Sequence, residues 1–309
     1  RSQPGEHSAG RAGRGDGSDS AAGSRFAGSA CAALYDIACG RCEPLKPGFR
    51  PQKKAAVMPC TKRGDPSARD YKSVLQQIRD LGFNSVRIPW CNSILTGTPT
   101  GIQVNEYGVD AYSKAKGINT ELAGLTSIQV LDKLVEHAAK VGLKIVLDNH
   151  SREPDGYMNE TLWYTAKVPE EKWIADWKVV AARYAKYPNV VAADLDNEPH
   201  GNTGMGMKPP AAWGNDIPGF ANNDWRAAAE KCGVEVLKVN PNLMIIVEGV
   251  EQYKGETYWW GGNLAGVRDA PITLIPKDRL IYSPHEYGPE VYAQPWFSEA
   301  TFPGNMPAI

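Results

Sequence analysis

The chain has 309 residues, 42% hydrophobic and 22% charged, with a formal net charge of −1. That balance is ordinary for a soluble globular protein and gives no electrostatic footprint for nucleic acid. No apolar run approaches the roughly 20 residues of a membrane span, so neither a nucleic-acid nor a membrane partner is expected. The length accommodates one large α/β barrel or two smaller domains.

The chain opens on Arg1 without the apolar core of a secretory signal, and reads as a fragment or a processed product. Residues 1 to about 28 are dominated by Gly, Ser, Ala and Arg. They hold too few large apolar side chains to offset the entropy of ordering the backbone, so disorder is expected there. Cys31, Cys39, Cys42 and Cys60 follow, four of the six cysteines. Their spacing suits disulfides or a small zinc site, but only one C-x-x-C is present, with no His nearby, and no metal or other cofactor is expected. Residues 43 to 67, rich in Pro, Lys and Arg, read as a linker. The leader and linker therefore span 1–67, and a barrel domain 68–309.

From Asp70 the pattern is regular. Asp70 starts a helix with Tyr71, Val74, Leu75, Ile78 and Leu81 at helical spacing, closed by Gly82; Phe83 to Trp90 then reads as a strand. The unit recurs as a helix over 127–140, a stop at Gly142, and a strand from Leu143 that runs into Asp148-Asn149-His150. A third helix from Pro169 to about Tyr187 precedes a strand that starts at Val190 and ends at Asn197-Glu198, before Pro199. A helix over 224–239, a strand Leu243 to Glu248, and a last strand Leu280 to Ser283 before His285-Glu286-Tyr287 complete the series. Helices alternating with strands that are apolar along their whole length predict a parallel sheet covered by helices.

The polar residues choose between an open sheet and a barrel. Arg87, His150, Asn197, Glu198, His285 and Tyr287 lie at or near the C-terminal ends of different strands, and closing the sheet would gather them on one rim. No Gly-rich turn follows the first strand, so a dinucleotide fold has little support. Glu198, left at a strand end by a proline that cannot continue a ladder, is the first candidate acid or base; the alternative is a solvated loop glutamate.

Taken together, Ser-Val-Arg-Ile-Pro, Asp-Asn-His, Asp-Asn-Glu-Pro-His, Val-Glu-Gly-Val and Ser-Pro-His-Glu-Tyr resemble glycoside hydrolase family 5, the cellulase family, and its bacterial-type endoglucanases in particular. Tyr258 to Leu264, and Trp296 to Pro307, are similar to stretches of that subgroup. The resemblance runs from about residue 70 to the end. It implies a (β/α)8 TIM barrel, present here as strands two to six, and retaining hydrolysis of β-1,4 bonds in cellulose or a related β-glucan. In that reaction two carboxyl groups about 5–5.5 Å apart act as acid/base and nucleophile. By resemblance Glu198 is the acid/base and Asn197 binds the sugar 2-hydroxyl. Arg87, His285 and Tyr287 orient and tune the carboxyl groups, while His150 and Trp260 bind sugar. Trp90, Trp213 and Trp259 could also offer faces to a pyranose, whereas Trp173, Trp177 and Trp225 fall at helical spacing and read as core.

The departures are equally definite. The family's first strand and its last two, including the nucleophile's, find no counterpart, and the resemblance places Glu248 on the fifth strand, where the family has no nucleophile. The expectation is therefore a fragment of a β-glucanase, secreted because of its substrate class. Its alternatives are a non-catalytic glucan-binding relative, or a zinc or interaction module on an inherited barrel.

Overall fold

A computed structural model describes residues 69–99, 101–154, 160–201, 209–214 and 216–305. The leader and linker, with Cys31, Cys39, Cys42 and Cys60, lie outside the described residues. Helix α1 (Tyr71–Asp80) starts where expected: the Asp70 carboxylate accepts from the Lys72 N–H, and Tyr71, Val74, Leu75 and Ile78 face inward. Strand β1 (Ser85–Cys91) leads to a hairpin, β2 (Asn105–Val109) and β3 (Lys116–Ile118), which the sequence does not announce. Helix α2 (Ser127–Val141) opens with a reciprocal cap between Thr126 and Gln129 and closes at Gly142, whose φ of 78° is a left-handed conformation suited to glycine. Then follow β4 (Lys144–Ser151), α3 (Glu170–Tyr184), β5 (Val190–Asp194), α4 (Trp225–Val239) and β6 (Met244–Glu248). A two-strand ribbon, β7 (Gln252–Tyr253) and β8 (Glu256–Thr257), a single turn α5 (Gly266–Asp269), and β9 (Leu280–Ser283) complete the series.

The five long strands form one parallel sheet in the order β1-β4-β5-β6-β9. Each strand is added on the same side of its predecessor, which is the winding of a (β/α)8 barrel and not the reversing order of a dinucleotide fold. The barrel is not closed among the described residues. Register places Pro89, Asp148 and Asp194 in one row across β1, β4 and β5, with Glu248 at the end of β6 beside Ser283.

Between sheet and helices lies a core of Ile88, Leu131, Leu134, Ile145, Leu147, Val180, Ala193, Ile245 and Val247, all fully buried. Trp173, Trp177 and Trp225 belong to it, as expected, and each spends its one N–H on the rim. Trp173 donates to Asn149 Oδ1, Trp177 to the Leu195 carbonyl and Trp225 to the Glu248 carbonyl, all at 2.9 Å. The helices thus hold the C-terminal ends of β4, β5 and β6 in place.

Several expectations need correction. Leu81 and Phe83 are about half exposed, because α1 ends at Asp80 and the turn after it stands clear of the core. The third helix stops at Tyr184, and β5 stops at Asp194, four residues before Glu198. Arg87 is the third of seven residues of β1, well short of its end. Trp90 stands edge-on against Trp177 with ring centres 4.9 Å apart and no exposed surface. Trp213 is 2% exposed, donates to the Ala270 carbonyl, and occupies the space that a Cβ on Gly266 would take. Both indoles are core, so neither offers a face to a sugar.

The rim-to-helix bonds are open to measurement. Trp225→Phe keeps most of the packing but leaves the buried Glu248 carbonyl short of a donor, and should cost about 1–3 kcal/mol in urea unfolding. Val179→Ala, at a site 54% exposed on α3, should stay within about 0.5 kcal/mol. Equal effects of the two would contradict the role given to the indole N–H.

Candidate active site

Arg87 organises the rim. Its guanidinium donates Nη1 to Asp148 Oδ2 at 2.8 Å, Nε to Asp194 Oδ2 at 2.8 Å, and Nη2 to both Glu248 Oε1 at 2.9 Å and Asn197 Oδ1 at 3.1 Å. One mid-strand side chain of β1 therefore reaches the ends of β4, β5 and β6. The fork geometry of a guanidinium suits such a span, which a lysine could not make. Burial opposes the charge, but Asp148, Asp194 and Glu248 together hold Arg87 more firmly protonated than usual. Asp148 Oδ2 also takes His150 Nδ1 at 2.7 Å, which orients that imidazole at the end of β4.

Glu198 stands in the loop after β5 with φ of 53°, a left-handed conformation that a side-chain-bearing residue keeps only when its surroundings impose it. Here both sides of the residue are held: its N–H donates to Glu248 Oε2 at 2.7 Å, and its carbonyl accepts from His200 Nδ1 at 2.6 Å. The carboxylate receives His285 Nδ1 at 2.9 Å and the Tyr287 hydroxyl at 2.6 Å. Both bonds land on Oε1, which turns Oε2 into the oxygen available for a transferable proton. Burial pushes the Glu198 carboxyl up, but the bonds from His285 and Tyr287 prevail and hold it below its ordinary value. Burial pushes Glu248 up as well, with Asp194 adding to the effect, against the donors that favour its ionised form.

A loop seals this arrangement from the other side. Gly261 lies so close that a Cβ would come within 2.3 Å of Glu248 Oε2 and 3.0 Å of the Glu198 Cα, so the approach itself requires glycine. The preceding Trp260 is half-buried and stacks on His200 with centroids 3.8 Å apart and planes 9° apart. Its indole bonds to Glu251, whose carboxylate also accepts the Gly201 N–H at 2.8 Å. One face of Trp260 is thereby occupied, and only the opposite face can receive a ligand. Trp259 is 7% exposed and enclosed by Tyr287, Tyr292, Trp296 and Phe297, so it shapes this wall from within.

Of the residues singled out from sequence, Arg87, Asn197, Glu198, His285 and Tyr287 are joined in one continuous hydrogen-bonded cluster, and His150 reaches it through Asp148. Trp260 adjoins it through His200; Trp213 does not take part. Sequence reasoning missed Asp148, Asp194 and His200 as members of the cluster. The signal for the two aspartates was present, since an acid inside a fully apolar strand run needs a buried partner. No group of three or more His, Cys, Asp or Glu side chains suited to a metal occurs among the described residues.

Comparison with known proteins agrees with this fold. A family model described as cellulase, glycosyl hydrolase family 5, matches residues 53–308, opening ahead of the residue 68 at which the sequence reading starts the barrel. An endoglucanase of Paenibacillus polymyxa is 43% identical over 245 residues, covering 78% of this chain and 56% of its own. The major extracellular endoglucanase of Xanthomonas campestris is 39% identical, with 78% of this chain and 46% of its own covered. A solved cellotetraose complex of an endocellulase from Pyrococcus horikoshii superposes with a TM-score of 0.66 at 37% identity, covering 81% of this chain and 66% of that one. The chain spans about half the length of the two sequence relatives.

Arg87→Met tests the electrostatic core of the cluster. It strands Asp148, Asp194 and Glu248 in a buried site, so a loss of about 3–5 kcal/mol at neutral pH is expected. Burial already pushes Asp194 up from 3.8 to about 6 with Arg87 present, so the folded chain holds a proton that the unfolded chain releases. Stability from that proton is complete below the unfolded value and is lost as pH rises through the folded one. Without Arg87 the folded value of Asp194 rises further, and that of Asp148, which burial raises but Arg87 and His150 hold below its ordinary value, rises too, so the deficit should shrink on acidification from about pH 7.5 to about pH 5. A deficit that does not change with pH would contradict the assignment.

Proposed function

The chain belongs to the cellulase family, glycosyl hydrolase family 5, and on that premise we propose that it carries the acid/base side of a retaining endo-β-1,4-glucanase, with Glu198 as the proton donor. The observation that carries this reading is the placing of Glu198: a carboxylate just beyond the end of β5, with Oε1 held by His285 and Tyr287 and Oε2 outside both bonds. In the first step Glu198 gives a proton to the glycosidic oxygen as a second carboxylate attacks the anomeric carbon. In the second it takes a proton from the attacking water. Asn197, fixed by Arg87, presents its amide to the sugar 2-hydroxyl, and the free face of Trp260 and the imidazole of His150 bind neighbouring sugar units. A sugar that displaces water strengthens the burial effect on Glu198, which moves the carboxyl toward the protonated form it needs.

Glu248 is not the second carboxylate. It is fully buried, and both its oxygens accept from protein donors, so neither is exposed to a substrate. No nucleophile is assigned among the described residues; the second reading is a glucan-binding relative without turnover. The substrate polymer is too large to enter a cell, and a secreted location follows from either reading.

Titration with cellotetraose should give a dissociation constant near 1 mM, about −4 kcal/mol. Trp260→Ala should weaken it by about tenfold, whereas Glu198→Gln should leave it intact. Absence of binding would contradict both readings. If the protein hydrolyses aryl β-cellobiosides, Glu198→Gln should slow poor leaving groups by about 10²–10⁴-fold and spare the 2,4-dinitrophenyl substrate, because only the former need a proton. Equal loss on both would overturn the acid role, and turnover abolished in both Glu248→Ala and Glu248→Gln, but restored to Glu248→Ala by added azide with release of a glycosyl azide, would point to a nucleophilic Glu248.

A further inference from the structure

Glu248 is a fully buried acid at the end of a strand, unsuited to attack a substrate, yet it touches more of the cluster than any chemistry assigned so far requires. We propose that Glu248 is a positioning residue: its carboxylate, anchored by Arg87, fixes the backbone of Glu198 and holds both ring nitrogens of His285 as donors, and so sets the orientation and proton affinity of the acid/base. The proposal rests on the reading of Glu198 as acid/base.

Three observations support it. The first is the backbone contact. Glu248 Oε2 accepts the N–H of Glu198 at 2.7 Å, at a residue with φ of 53°, and a left-handed glutamate needs such an external hold. His200 holds the carbonyl of the same residue at 2.6 Å, so its N–H and its carbonyl are both tied and the side chain leaves the backbone in one direction.

The second is the imidazole of His285. Its Nδ1 lies 2.9 Å from Glu198 Oε1 and its Nε2 lies 3.0 Å from Glu248 Oε1. A neutral imidazole has one N–H and would turn a lone pair toward one of these carboxylates; only the doubly protonated ring satisfies both. The charged groups around the ring are Glu198 and Glu248 on its two nitrogens, Arg87, Tyr287 at 6.4 Å between ring centres, and Asp148 and Asp194 at longer range. Burial and Arg87 oppose the imidazolium, but the two carboxylates prevail and push His285 up to about 10. A charged His285 is one of the two donors that, against burial, hold the Glu198 carboxyl below its ordinary value.

The third is how Glu248 itself is held. Oε1 is also bound by Arg87 at 2.9 Å, the carbonyl of the same residue accepts from Trp225, and Gly261 lies where any Cβ would displace Oε2. Arg87 and Gly261 thus confine the carboxylate, and Trp225 holds the backbone of the same residue.

The test is made on the full chain by NMR, without recourse to turnover. In the wild type both ring nitrogens of His285, assigned by their loss in His285→Gln, should stay protonated across roughly pH 5–8. In Glu248→Gln, whose amide can donate to Nε2, the midpoint should fall by about one pH unit or more, and exchange of the Glu198 amide should accelerate by about tenfold. A second variant, Gly261→Ala, leaves every charge in place but presses on Glu248 Oε2. It should accelerate exchange at Glu198 while His285 remains protonated, and it keeps the proposal testable if Glu248→Gln does not fold. Unchanged exchange at Glu198 in both variants, or an unchanged His285 titration in a folded Glu248→Gln, would overturn the proposal. If these signals move as expected while Glu198→Gln still cleaves poor leaving groups normally, the positioning role stands and the acid assignment falls.

Discussion

A single guanidinium in the middle of β1 sets what the rest of the rim can be. Arg87 donates to Asp148, Asp194, Glu248 and Asn197, and these come from the ends of β4, β5 and β6 and the loop beyond β5. Removing any of these acids from water would be costly without a buried cation. Placed around one, they become fixed points: Asp148 orients His150, Glu248 holds Glu198 and His285, and Asn197 is held by its side-chain oxygen. The sheet supplies the distances, since parallel strands in register bring Asp148 and Asp194 into one row, and the guanidinium converts that row into a template.

Such clusters are poor sources of net stability, because desolvation consumes much of the Coulombic gain. The fold is held instead by its apolar core, and the link between core and rim is made by three indoles. Trp173, Trp177 and Trp225 bury their rings between helix and sheet and give their N–H groups to the rim. Packing defects in α3 or α4 would therefore reach the polar cluster directly, through bonds at 2.9 Å and not through general loosening. The arrangement places a rigid, dry scaffold beneath Glu198, as proton transfer at a defined atom requires.

Much of this was legible before any coordinates. Tyr71, Val74, Leu75 and Ile78 report α1 by their spacing, Gly142 ends α2 as its conformational freedom suggests, and apolar strand runs stopping at polar residues locate the rim. What could not be read is direction. Trp90 and Trp213 have the same chemistry as Trp260, and only packing decides that two are enclosed while the third keeps a face open. The hairpin of β2 and β3 lacks an alternating apolar pattern, because half of its strand residues are exposed and only Ile118 is buried. The resemblance puts Glu248 on a strand where the family has no nucleophile and gives it no role. Its contacts with Glu198 and His285 join residues 50 and 37 positions away, which no local pattern encodes.

The central claim is that this rim delivers a proton from Glu198 to a β-1,4 glycosidic oxygen. It is tested most directly by a crystal structure of the Glu198→Gln chain with a bound cello-oligosaccharide. The account places a glycosidic oxygen about 2.6–3.2 Å from the side-chain atom that replaces Oε2, with the neighbouring 2-hydroxyl on Asn197 and a sugar face on Trp260. An oligosaccharide bound away from Glu198, or one that presents its glycosidic oxygen to a different carboxyl group, would contradict it.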